Sequence, residues 1–282
     1  MLRALVLVAS LLVLAPAAWG QAKKCPPDSV PVGTLCVDKY EESVWRIDTL
    51  NTGLIKKVQA GKATLADLQK FNPKTGVGVQ LGCTDPPFNA LDYNSFGNFP
   101  PNGDWVPLAG STPPNPGVFA VSIPGVLPST CITWFQANQA CALSGKRLLR
   151  NDEWQRAASG TPNAGNSDNG ITDCNTDSAQ YAVNTGSRSS CTSNWGAVDM
   201  VGNVEEWVAD WAEETLDCTD WTTALGIPGN DSSCFGGNGS FKTPGGMTRG
   251  GGWASGASAG TLTVGTAPPV YIFSGIGFRC GR

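Results

Sequence analysis

The chain of 282 residues contains no histidine. That absence removes a Ser-His-Asp triad, a Cys-His pair and His-ligated zinc together. Charge is also scarce, at 15% of residues, and the 19 Lys and Arg are dispersed against 23 Asp and Glu. A net charge of −4 with no basic patch argues against nucleic acid as a partner. After the first apolar run, Ala4 to Leu14, no second run long enough to cross a membrane follows.

What is present is a loop-rich composition with core-forming aromatics. There are 35 Gly and 20 Pro, yet also ten Trp and ten Phe, which excludes a disordered chain. The N-terminus, MLRALVLVASLLVLAPAAWGQA, has one Arg, a short apolar stretch, and Ala18-Trp19-Gly20 as a small-x-small cleavage site. It reads as a signal peptide over residues 1–20, cleaved near Gly20. The mature chain, 21–282, is then expected outside the cytoplasm: secreted, periplasmic or at the cell surface. In such a compartment ten cysteines without C-x-x-C spacing read as a disulfide framework, not a metal site.

Periodicity is local. Leu54 to Phe71 carries helical spacing broken at Gly61, and Thr64 with Asp67 forms a capping-box pattern that restarts it. Residues 71–129 show little periodicity and read as a long irregular insertion. Thr133 is placed to cap a helix over TWFQANQACALS, with Phe135, Ala140 and Leu143 inward and Gly145 as its stop. Asn151 is expected to cap a second helix, with Trp154 and Ala158 inward. One domain with two main helices accounts for the pattern.

Four segments occur in order: CVDKYEESV from Cys36, ITWFQANQACALSGKRLLRNDEWQRAASG from Ile132, WGAVDMVGNVEEWVADW from Trp195, and TRGGGW…GFRC from Thr248 to Cys280. Together they resemble the formylglycine-generating enzyme (sulfatase-modifying factor) family. The resemblance implies an α+β, C-type lectin-like fold of low regular structure, with small antiparallel sheets and disulfide staples. It also pairs Cys141 with Cys280. Short loops suggest Cys25–Cys36, Cys174–Cys191 and Cys218–Cys234, which leaves Cys83–Cys131; sequence alone does not fix pairing.

The family's oxidase chemistry uses two copper-binding cysteines after its RGG-W motif. The matching segment here, ASGASAGTLTVGTAPPVYIFSG, has none. Ala, Ser and Thr supply no thiolate, so neither copper nor family catalysis is expected. The alternative is a different enzyme of the superfamily acting in the same groove. The resemblance further implies a structural calcium in the DMVGNVEEW loop, held by the Asp199 and Glu206 carboxylates and the Gly202 and Val204 carbonyls. Glu205 departs from the family, which usually has Trp there, and is expected to face solvent.

The C-terminal frame W-x-x-G-A-x-A-G…A-P…I-G-F-R-C resembles the variable proteins of diversity-generating retroelements. In those systems adenine-directed errors scatter Asn codons to Ser, Thr, Ala, Gly, Val, Pro, Tyr and Phe within an unchanging frame. On that resemblance residues 250–280 form a variable region. Trp253, Gly256, Ala259, Gly260, Ala267, Pro268 and Gly277 to Cys280 are its scaffold. The varied, ligand-binding positions are Ala254, Ser255, Ser258, Thr263, Gly265, Pro269, Tyr271, Phe273 and Ser274, with Thr261, Thr266 and Gly275 as further candidates. The implied function is a secreted binder of a macromolecular ligand, a protein at a cell or phage surface.

Overall fold

A computed structural model describes residues 24–70, 78, 80–83, 117–163, 165–212 and 245–282. The signal segment and the Cys218–Cys234 pair lie outside the described residues. The N-terminal hairpin, β1 (Ser29–Val32) and β2 (Leu35–Asp38), joins the chain's end, β11 (Cys280–Gly281), and then β6 (Arg147–Leu148) in one sheet. A second sheet pairs β3 (Ser43–Arg46) with β4 (Gln80–Leu81) and β5 (Val118–Val121). The third has the order β10 (Ile276–Phe278), β7 (Glu205–Ala212), β8 (Gly245–Gly250), β9 (Gly260–Ala267). Its β10–β7 pair is parallel, while the other strand pairs are antiparallel.

Helices α1 (Thr52–Gln59) and α2 (Leu65–Leu68) flank Gly61, and the Thr64–Asp67 capping box is formed. Helix α3 (Trp134–Leu143) begins at Thr133, whose hydroxyl accepts from Gln136 N while the Gln136 side chain accepts from Thr133 N. Gly145, at φ +69°, ends it as expected of a left-handed stop. Its buried face consists of Gln136, Ala137, Ala140 and Cys141. Phe135 and Leu143, expected inside, are half-buried. Small residues let this helix lie close against β5, and the bulky side chains move to its edges. Helix α4 (Asn151–Ala157) buries Trp154 and Ala157.

Two boundaries differ from expectation. The cap of α4 is Arg150, not Asn151. Arg150 N donates to the Glu153 carboxylate, and Asn151 N instead donates to Asp210 on β7 at 2.6 Å. The segment expected as an irregular insertion, 71–129, also contains core. β5 is buried along its whole length between β3 and α3, and Cys83 bridges to Thr130 beside it. A four-residue apolar strand among turns gives too short a periodic signal to be seen.

Four disulfides are formed: Cys25–Cys36, Cys83–Cys131, Cys141–Cys280 and Cys174–Cys191. Among the described residues no cysteine is free. The longest link, Cys141–Cys280, fastens α3 to β11 across 139 residues. Such links restrict the unfolded chain, which matters where regular structure is sparse.

At the centre lies a buried ion pair. Arg279 donates from Nη2 to Glu206 Oε1 at 2.6 Å and from Nε to both Glu206 oxygens. Its remaining donors reach the carbonyls of Asp38 and Val198. Trp154 Nε1 donates to Glu206 Oε2 at 2.6 Å. Removing one partner strands a buried charge, at a cost of about 3–5 kcal/mol. Arg279→Ala is therefore expected to lower the unfolding free energy by about that amount in a urea titration. Arg147→Ala, which breaks a half-exposed pair with Glu153, should cost less than about 1 kcal/mol. Equal losses from both variants would refute the central role of Arg279.

Candidate ligand-binding site

The third sheet and the two loops that follow β8 and β9 enclose an open cavity of about 390 Å³. Six of the nine positions expected to vary line it: Ser255, Ser258, Thr263, Gly265, Tyr271 and Phe273. Constant residues complete it, chiefly Glu205 on β7, Thr248 and Arg249 on β8, and Ile276 on β10. The Tyr271 and Phe273 rings stack at 6.1 Å between centroids and 17° between planes, and they remain 40% and 41% exposed. Ala254 is exposed, and Pro269 and Ser274 are half-buried, but these three lie off the cavity. Thr263 departs from a surface position. It is buried at depth, and its hydroxyl donates to the Ser258 carbonyl at 2.5 Å.

Most of the bonds that hold the loop backbone are main-chain bonds, with Ser255 Oγ accepting from Gly252 N and the Thr263 hydroxyl as the side-chain exceptions. Trp134 N donates to Pro269 O, Cys131 N to Phe273 O, and Glu205 N to Gly275 O, at 2.8–3.0 Å. On the other loop, Gly256 N donates to Thr176 O, Trp253 N to Asn203 O, and Asn163 Nδ2 to Ala259 O. Strand β9 is fixed by its ladder with β8. Every one of these bonds uses a main-chain group of residues 250–280. A change of side chain leaves the group in place. The scaffold positions Gly256, Ala259, Gly260 and Gly277 to Cys280 are buried.

The cavity's polar residues are in contrasting states. Arg249 donates to the carbonyls of Thr261, Leu262 and Thr263 and to Gln155, and it lies over the Trp154 ring at 4.7 Å. Glu205 accepts one hydrogen bond, from Thr248 Oγ1 to Oε2 at 2.8 Å. Burial pushes its carboxyl above the usual range, with the Thr248 hydroxyl opposing. Sequence reasoning flagged Glu205 as a departure but expected it to face open solvent. Its half-buried place in the cavity follows from the parallel β10–β7 pairing, which sequence patterning does not reveal.

The four residues expected around calcium lie together, with Asp199 and Asn203 at φ +57° and Gly202 at φ +75°. Gly202 is required there, because a Cβ would meet the Asn175 carbonyl at 2.3 Å. The carboxylates, however, face protein donors. Asp199 Oδ2 accepts from Thr185 Oγ1 and Gly186 N. Glu206 accepts from three N–H groups: Arg279 Nη2, Arg279 Nε, whose single hydrogen is shared between both oxygens, and Trp154 Nε1. The Arg279 cation already neutralises this buried carboxylate, and a dication beside it would be repelled. This arrangement does not fit calcium. In a second acidic cluster, Asp38 with Glu42 beside Cys280, Lys146 donates to Asp38, while the Glu42 oxygens accept no hydrogen bond among the described residues. Lys146 Nζ lies 2.5 Å from Asp38 and 3.6 Å from Glu42, and Cys280 is in a disulfide.

The chain belongs to the sulfatase-modifying factor enzyme family: the model of the sulfatase-modifying factor enzyme 1-like domain matches residues 49–282. The fold is accordingly of the C-type lectin-like, formylglycine-generating type. Similar solved structures include a Major Tropism Determinant P3c variant (16% identity, 91% of this chain and 54% of that one, TM-score 0.45). Others are Treponema denticola variable protein 1 (18%, 66% and 77%, 0.37) and PvdO from Pseudomonas aeruginosa (20%, 88% and 80%, 0.37). The chain spans 38% to 54% of the length of the tropism-determinant variants. No curated protein matches.

Two measurements test the site's electrostatics. Melting in excess EDTA is expected to match melting in added calcium; a fall of several degrees in chelator would show a bound ion. Burial raises Asp199 to about 6, with its hydrogen bonds opposing, and Glu41 is raised well above its ordinary value by burial and then by Asp199. A carboxyl whose folded pKa is raised holds its proton more tightly when folded. Its contribution is complete below the unfolded value and is lost as pH rises through about 6. The melting temperature is therefore expected to fall between pH 5 and pH 7.5, and less steeply in Asp199→Asn. A rise over that interval would contradict this.

Proposed function

We propose that the protein is an exported binder whose residues 250–280 present a diversified surface on a C-type lectin scaffold. Its ligand is a macromolecule, a protein at a cell or phage surface. The observation that carries this reading is that six of the nine positions line one cavity while main-chain bonds hold their backbone. Side chains there are exchangeable, and the frame is not. Stacked aromatics beside Ser, Thr and Gly suit recognition, since rigid rings give contact area at low entropic cost and small polar groups adapt.

Export is supported by the four disulfides, which persist in oxidising compartments. Among the described residues no helix is long and apolar enough to cross a membrane. The family includes enzymes, but the segment 254–275 has no cysteine, and all eight described cysteines are paired. Binding without catalysis is the reading the site favours.

The test is a binding screen against surface proteins, repeated with Tyr271→Ala/Phe273→Ala. Binding is expected to fall at least about tenfold, as for aromatic hot spots, while melting shifts little. A large loss of stability would mark the two rings as core. Retained affinity for a captured ligand would place its site elsewhere.

A further inference from the structure

One constant charge stands at the centre of the variable cavity. Glu205 belongs to β7, outside the variable region, yet it lines the cavity together with Tyr271 and Phe273. Its only hydrogen bond among the described residues comes from Thr248. No described cation pairs with it, and the one cation that shares the cavity, Arg249, is spent on three carbonyls, Gln155 and Trp154. A half-buried carboxylate without a counter-ion is poorly solvated by its surroundings. Any cation that enters gains more there than at an open surface.

The position facing it is a varied one. Gly265 pairs with Thr248 across β8 and β9. A Cβ at 265 would lie 2.6 Å from Thr248 Oγ1 and 3.6 Å from Glu205 Oε2. Any side chain at 265 would push Thr248 away and stand over the carboxylate. In this chain the glycine leaves that space open, and the cavity volume is sufficient for a single long side chain.

We propose that this variant seats a basic side chain, arginine or lysine, of its protein partner on Glu205, beside the Tyr271 and Phe273 rings. The residue at position 265 determines whether that carboxylate is offered. The proposal rests on the binding-surface reading above and narrows its ligand. A guanidinium or ammonium would pair with the free Glu205 oxygen, and the neighbouring aromatic rings favour a cation over a neutral chain.

The experiment is titration of the mature chain with N-acetyl-arginine amide and its neutral isostere N-acetyl-citrulline amide, followed by NMR. Arginine is expected to bind at about millimolar Kd, and citrulline at least about tenfold more weakly. Glu205→Gln should abolish the difference between the probes, and Gly265→Val should weaken the arginine probe at least as much. The two-probe comparison on the parent chain stands even where a variant fails to fold. Equal affinity for both probes, or no binding of either, overturns the basic-ligand proposal. The binding-surface reading would survive those results if Tyr271→Ala/Phe273→Ala still lost affinity for a screened protein. It falls separately if that double variant binds a screened ligand as well as the parent.

Discussion

The Arg279–Glu206 pair is the junction on which the rest of the structure depends. Arg279 comes from the closing GFRC motif, Glu206 from the DMVGNVEEW loop, and Asp38, whose carbonyl receives Nη1, from the first motif. Trp154, from the α4 motif, donates to Glu206 and carries Arg249, from the TRGGGW motif, on its ring. Each of the four motif segments thus touches one buried cluster. Two charges in a low-dielectric interior are costly unless each is fully bonded. Here Glu206 accepts from three N–H groups, and Arg279 spends its donors on Glu206 and on the carbonyls of Asp38 and Val198. The pair's contribution is therefore specificity of assembly, because no other register satisfies all these groups.

That junction explains how a binding face can tolerate change. The disulfide Cys141–Cys280 and the Arg279 bonds lie immediately beyond the last varied position. Trp253 N and Gly256 N hold the start of the first loop, and the carbonyls of Pro269, Phe273 and Gly275 hold the second. Between these anchors Ser255, Ser258, Gly265, Tyr271 and Phe273 line the cavity, while Val264 and Ala259 pack in the core. Thr263 marks the limit. Its hydroxyl satisfies the Ser258 carbonyl at depth, so replacements there must fill or rebond that place.

The sequence disclosed the local features. The Thr64–Asp67 capping box, the Thr133 cap, the Gly145 stop and the burial of Trp154 follow short-range rules that do not need the tertiary fold. The motif order disclosed the family, because separated blocks coincide only by descent or shared architecture. What stayed hidden depends on distant pairing. β5 is too short to announce itself, yet it lies in the core, paired with β3 and covered by α3. Arg150 displaces Asn151 as cap because Asp210, 59 residues away, takes the Asn151 amide. The calcium expectation carried over residue types correctly but not the Arg279 cation, which competes for the same carboxylate.

Glu205 shows why a charge placed by the frame can matter more than any one varied side chain. Its neighbour on β7, Glu206, is buried against Arg279, so alternation points Glu205 away from that buried pair. There it lines the cavity. The backbone position of the carboxylate is thereby set by core packing and is the same whatever fills positions 254–274. On the proposed reading the varied positions do not create this charge; they uncover or cover it. Gly265 uncovers it, and the two rings beside it shape what can approach. A scaffold built this way divides recognition into two parts, a fixed electrostatic preference and a changeable rim. Exchanging the rim then changes which cation-bearing surface fits without disturbing the buried pair that holds the site together.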